Sequence, residues 1–167
     1  MTIEKNIILN NDQINRKIKR IAFQIYEANS TENEVIIAGI NGNGFQFAKK
    51  ITSQLQEISP LTVTLCEVII DKKNPLHQIT TSIDEEAYIN KSVILVDDVL
   101  YSGTTLIYGV KHFLEVPLKQ FKTAVLVDRN FKKYPVKADF KGISLSTSIQ
   151  EHVDVEFSDT NSIAYLA

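Results

Sequence analysis

Apolar residues first recur at helical spacing and then give way to short unbroken apolar runs. Ile14, Ile18, Ile21, Ala22 and Ile25 fall on one face of a helix over residues 12–29. Residues 35–40 are apolar without alternation and run into Asn41-Gly42-Asn43-Gly44. Phe47, Ala48, Ile51 and Leu55 then restore the helical period. Residues 61–65 alternate and Val68-Ile69-Ile70 do not, which predicts a strand with a bend near Cys66. Residues 93–96 and 121–127 are further apolar strands, separated by a helical pattern through Leu106, Val110, Phe113 and Leu114. Residues 143–146 and 153–157 alternate as edge strands do. Residues 74–90 show little periodicity, and a loop of that length in a compact domain is often a lid. Strands apolar on both faces, separated by helices, predict an α/β fold with a mostly parallel central sheet and helices on both faces.

Composition narrows this picture. The chain has 167 residues with 44% hydrophobic content, enough for one domain over residues 1–167 with a sizeable core. No repeat, low-complexity segment or composition shift marks a second domain. Eighteen basic residues against 20 acidic ones give no global signature of a nucleic-acid binder. The polar face of the first helix carries Arg16, Lys17, Lys19 and Arg20, the pattern of a solvated face or of a local nucleic-acid patch. The single cysteine, Cys66, excludes an intrachain disulfide framework and reads as a small core residue. No signal-peptide run opens the chain and no stretch is long enough to span a bilayer, so the expectation is a soluble cytoplasmic protein without membrane contact.

The densest chemistry lies in residues 93–105, Val-Ile-Leu-Val-Asp-Asp-Val-Leu-Tyr-Ser-Gly-Thr-Thr. Adjacent carboxylates cannot both enter a core. They belong at the carboxyl end of a buried strand, where open α/β sheets bind ligands. Ser102, Gly103, Thr104 and Thr105 then open a helix, whose free N–H groups and dipole favour an anion. Asp97 and Asp98 repel phosphate but accept hydrogen bonds from a vicinal diol. A diol held by the acids and a phosphate held at 101–105 together describe a ribose 5-phosphate. Asn41-Gly42-Asn43-Gly44 is a second candidate phosphate turn, though neither a Walker A loop nor a dinucleotide fingerprint.

Residues 93–105 closely resemble the phosphoribosyl-diphosphate signature of type I phosphoribosyltransferases. Among these they look most like the pyrimidine-operon regulator and uracil phosphoribosyltransferase family, whose version also has Asp-Asp-Val-Leu-Tyr before a hydroxyl and Gly. The resemblance extends over about 12–157. It implies a Rossmann-like sheet with a small hood and a mobile loop, and transfer of ribose 5-phosphate from phosphoribosyl diphosphate to a nucleobase. Mg²⁺ is the implied cofactor, touched only indirectly by Asp97 and Asp98. Tyr101, Ser102, Gly103, Thr104 and Thr105 would hold the 5-phosphate. Asn41 and Gly42 would hold pyrophosphate, although the related uracil enzymes usually carry Lys or Arg where Asn41 and Asn43 stand. Lys72 stands near the place of the family's loop arginine and joins Asp97 and Asp98 in the expected catalytic set; Lys cannot make the bidentate fork of Arg. Val127, Asp128 and Arg129 match a segment that borders the base. In Thr147-Ser148-Ile149-Gln150-Glu151, Ile149 replaces an arginine of the family's pattern.

Purine enzymes of the superfamily often carry an acid where Tyr101 stands, and a neutral phenol cannot replace it. That favours uracil, giving UMP and pyrophosphate. The alternatives are a nucleotide-sensing regulator that binds pyrimidine-operon mRNA with little catalysis, and a purine phosphoribosyltransferase. Lys19, Arg20, Lys132 and Lys137 keep the charge of the family's RNA face, whereas Phe23, Phe131 and Ile143 lose it. Family members commonly form dimers or tetramers, so a homo-oligomer is expected.

Overall fold

The structure is a computed structural model of the chain and describes residues 5–129, 131–146, 148 and 151–167. Thr147, Ile149 and Gln150 lie outside that range, so the replaced arginine at Ile149 does too.

Strand β1 (Asn6–Leu9) leads into α1 (Asn11–Ala28). Asn10 caps this helix: its side chain accepts from Gln13 N–H while the Gln13 side chain accepts from Asn10 N–H. Such a reciprocal cap is worth about 1 kcal/mol. β2 (Glu34–Ile40) and α2 (Asn43–Ile58) follow, then β3 (Thr62–Ile69). β3 pairs with β2 in unbroken parallel register from Glu34↔Thr62 to Ile40↔Val68, so the bend expected at Cys66 is absent. The loop expected over 74–90 is interrupted by β4 (Thr80–Thr81), which returns antiparallel on β3, and by a one-turn helix α3 (Glu85–Tyr88). Tyr88 supplies the reason: its ring is buried edge-on against Phe113 and anchors the end of the segment.

β5 (Ser92–Leu100), α4 (Thr104–Phe113), β6 (Gln120–Arg129) and β7 (Phe140–Leu145) complete the main sheet. Its order is β4-β3-β2-β5-β6-β7, parallel except for β4. The continuous apolar runs are the strands with neighbours on both sides, as their lack of alternation requires. One face packs on α1 and α2 through Ile14, Ile21, Phe47 and Ile51. The other packs on α3 and α4 through Tyr88, Leu106 and Phe113.

β8 (Val153–Glu156) and β9 (Ile163–Leu166) join β1 in a separate antiparallel sheet, ordered β1-β9-β8. This small hood is tied to the body by Asn43, whose side-chain amide donates to Val155 O at 2.7 Å, and by Lys50, which donates to Ser158 O at 2.9 Å. β1 and β9 are too short and too weakly patterned for the hydrophobic period to reveal them. β1 becomes a strand through β9, with Asn6 opposite Leu166, and β9 through β1 and β8 together.

Candidate active site

The acidic pair ends the central strand. Asp97 is 4% exposed and Asp98 half-buried. Alternation along β5 sends the two side chains to different surroundings. Asp97 Oδ1 accepts the Asp98 N–H at 2.9 Å and lies against Gly44 in the first turn of α2, where an added Cβ would stand only 2.8 Å away. Burial pushes the Asp97 carboxyl well above the usual carboxylate range, the Asp98 charge adds to the rise, and the Lys72 ammonium opposes it. Lys72 is exposed just beyond β3.

The next residues form the anion cradle. Gly103 has φ 85° and ψ −1°, a left-handed conformation that favours glycine, and α4 begins at Thr104. The Ser102 hydroxyl lies 2.9 Å from that of Thr104 and accepts the Thr104 N–H at 3.3 Å. The first helical N–H groups beyond it have no carbonyl of their own helix to meet. They face a cavity of about 180 Å³ lined by Asp97, Leu100, residues 101–106 and Val125. Pattern reading did not identify the strap that fixes this loop. Lys133 N–H and Tyr134 N–H both donate to Ser102 O, at 2.7 and 3.2 Å, and Val136 closes over Gly103. Only the apolar Val136 and Ala138 in a polar run could have signalled that residues 132–138 fold back onto the body.

At the turn after β2, Gly42 has φ 87°, and a side chain placed there would meet open space. The Asn41 Oδ1 accepts Ile70 N–H at 3.1 Å and so ties the end of β2 to the end of β3. An amide that accepts through Oδ1 still carries two N–H donors, and the turn around Gly42 is open.

Val127, Asp128 and Arg129, the set expected to border the base, have buried side chains. Val127 is wholly buried between Val99 and Ile143 in the sheet. Asp128 is 3% exposed, with one carboxylate oxygen 3.5 Å from Lys132 Nζ and 3.6 Å from Lys141 Nζ. Arg129 is 2% exposed; its guanidinium lies 4.2 Å from the Tyr101 ring centroid and donates to Ser148 O and Glu151 O. β6 runs on through Arg129, so residues placed at an open edge by their polarity are instead covered by the 131–139 strap and the hood.

Among the described residues no three His, Cys, Asp or Glu side chains converge as a metal cage. Two adjacent carboxylates beside an anion cradle do suit Mg²⁺, which keeps several waters and is commonly held through substrate phosphates. Of the cations expected on an RNA face, Arg20 donates to Lys141 O and Gly142 O, Lys132 pairs with Asp128, and Lys137 lies 3.5 Å from Asp139. Lys19 is exposed. No helix is long and apolar enough to cross a membrane among the described residues.

The phosphoribosyl transferase domain family matches residues 5–160. A protein named bifunctional protein PyrR from Fusobacterium nucleatum is 34% identical over 164 residues, covering 93% of this chain and 92% of that one. The protein of the same name from Bacillus subtilis is 32% identical, with 95% and 93% covered. A hypoxanthine-guanine phosphoribosyltransferase from Bacillus anthracis has a TM-score of 0.77 at 20% identity, covering 99% of this chain and 100% of that one. The hypoxanthine phosphoribosyltransferase of Trypanosoma cruzi has a TM-score of 0.78 at 16% identity, with 97% of each chain covered. At such identities the structural likeness bears on the fold alone. With the acidic pair, the cradle and the sheet order in place, these matches establish that the chain belongs to the phosphoribosyltransferase family, in its PyrR-type branch.

Proposed function

We propose that the protein transfers ribose 5-phosphate from phosphoribosyl diphosphate to uracil, forming UMP and pyrophosphate. The observation that carries this reading is the join between Asp97-Asp98 and the cavity at 101–106. Asp97 lines the same cavity as Ser102, Gly103, Thr104 and Thr105, so a diol acceptor and phosphate donors share one space. The loop amides and the Ser102, Thr104 and Thr105 hydroxyls would bind the 5-phosphate. Asp97 and Asp98 would accept from the ribose hydroxyls. In the reaction the anomeric C–O bond breaks, a C–N bond forms to a ring nitrogen, and that nitrogen's proton is lost. The sugar gains positive charge as the bond opens, and pyrophosphate leaves with negative charge. Lys72 and the Gly42 turn would stabilise that departing charge. Asp97 and Asp98 would stand near a bound Mg²⁺, which would supply Lewis-acid stabilisation of the leaving group. The base would lie at the carboxyl ends of β5 and β6, beneath the hood, with Tyr101 and Phe131 (ring centroids 5.8 Å apart) as an apolar flank. A neutral Tyr101 in place of an acid supports a pyrimidine.

The test is a product assay with phosphoribosyl diphosphate, Mg²⁺ and each of uracil, hypoxanthine, guanine, adenine and orotate. UMP formation above all other products is expected; a purine nucleotide as main product would replace uracil in this reading. A second reading, a nucleotide-sensing regulator of pyrimidine mRNA, is favoured by the bifunctional name of the curated relatives. Filter binding to RNA across a salt series tests it, since phosphate contacts give a steep salt slope. A flat, weak response would remove it.

A further inference from the structure

We propose that Arg129 is a positioning residue that holds the phosphate loop and the hood at one fixed separation, so that a single nucleotide can span both. The inference rests on the reading given under Proposed function.

Arg129 ends β6 and is among the largest fully buried side chains. Burying a guanidinium is costly unless acceptors surround it. In filling this volume alone, an apolar side chain would serve at least as well. The cation instead joins two parts that are far apart in sequence. Its guanidinium carbon lies over the Tyr101 ring, 4.2 Å from the ring centre; Tyr101 is the first residue beyond β5 and the entry to the phosphate loop. Its Nη2 donates to Glu151 O, and to Ser148 O at 3.4 Å. Ser148 and Glu151 are bound to each other, Ser148 N–H donating to the Glu151 carboxylate at 2.7 Å and Glu151 N–H to Ser148 O at 3.2 Å. β8 of the hood starts two residues later, at Val153.

Arginine suits this task because a planar fork can stack on a ring and donate in its own plane at once. Lysine can donate but cannot stack as a plane. The phosphate loop has its second tie at Ser102 O, through the strap, so Arg129 governs where the loop stands relative to the hood rather than whether it forms. A ligand confined to the loop should be nearly indifferent to Arg129. A ligand reaching from loop to hood should depend on it.

Calorimetric titration of the full chain with ribose 5-phosphate and with UMP separates the two cases. Arg129→Met is expected to weaken UMP at least tenfold and ribose 5-phosphate less than threefold, with Arg129→Lys falling between wild type and Arg129→Met for UMP. If thermal melting shows Arg129→Met unfolded, Arg129→Lys carries the same comparison. Equal loss of both ligands, or of neither, against a wild type that binds UMP overturns the positioning role alone. A wild type that binds ribose 5-phosphate but no nucleoside monophosphate overturns the transferase reading, and this inference with it.

Discussion

Gly44 and Asp97 are in contact across the β5–α2 interface: a Cβ on Gly44 would stand 2.8 Å from Asp97 Oδ1, 3.1 Å from Val96 O and 3.2 Å from Asp97 Cα. Two of these three neighbours are backbone atoms and cannot swing aside. The first turn of α2 is thus packed against the buried carboxylate.

Gly44→Ala should therefore disturb the acid even though alanine favours helices by about 1 kcal/mol over glycine. Overpacking of a filled site costs about 1–3 kcal/mol, and each kcal/mol shifts Tm by roughly 2–4 °C in a chain of this size. The expected outcome is no gain in Tm or a fall of a few degrees, with phosphoribosyl diphosphate affinity reduced at least tenfold. Unchanged affinity would mean that Asp97 does not need its present place.

Asp97→Asn should stabilise the free protein and abolish donor binding together with Asp98→Asn. The folded-state pKa of Asp97 is raised above the ordinary 3.8 by burial first and by Asp98 second. A raised pKa means that the native state holds the proton more tightly than the unfolded chain. That contribution is complete below about pH 3.8 and is lost as pH rises through the folded value. Asparagine has no such loss. Melting curves should show the variant above wild type at neutral pH, with the gap closing on acidification; a gap independent of pH would rule out this origin.

Lys72 acts on the same carboxyl from outside. Lys72→Ala should raise the Asp97 pKa further, and Lys72→Arg should not. Carboxyl-carbon NMR titration reads this directly. Because Lys72 is exposed, the difference should shrink at high ionic strength. Pyrophosphate affinity should fall with Lys72→Ala and recover with Lys72→Arg.

Gly103→Ala meets two obstacles. The residue has φ 85°, where an L side chain is strained by roughly 1–2 kcal/mol, and its Cβ would lie 2.7 Å from Val136 Cγ1. The strap over 132–138 must then lift from the loop. Ribose 5-phosphate binding, followed by calorimetry, should drop at least tenfold, with Tm lowered by several degrees. Trimming the obstacle with Val136→Ala should recover part of both; no recovery would show that backbone strain alone is responsible.

Local pattern carried the layers of this fold. Unbroken apolar runs at 35–40, 93–96 and 124–127 became parts of β2, β5 and β6, and the period of Ile14 to Ile25 became α1, since burial on two faces or one imposes those rhythms. The same local logic placed a carboxylate pair and a hydroxyl-glycine turn at a strand's end, because such groups cannot be buried without partners. It could not find β1 and β9, which are four residues each and pair with one another across the whole length of the chain. Nor could it tell that Asp128 and Arg129, polar and adjacent to a strand, would be covered rather than open. What covers them arrives from residues 131–141, Ser148 and Glu151, and their polarity is answered by lysines and carbonyls brought there by the fold. Chemical type and spacing along the chain were enough to name a pentose phosphate as ligand. Which groups remain free to touch it depended on who their neighbours became, because a hydrogen bond or a van der Waals contact is made in space and leaves no period in the sequence.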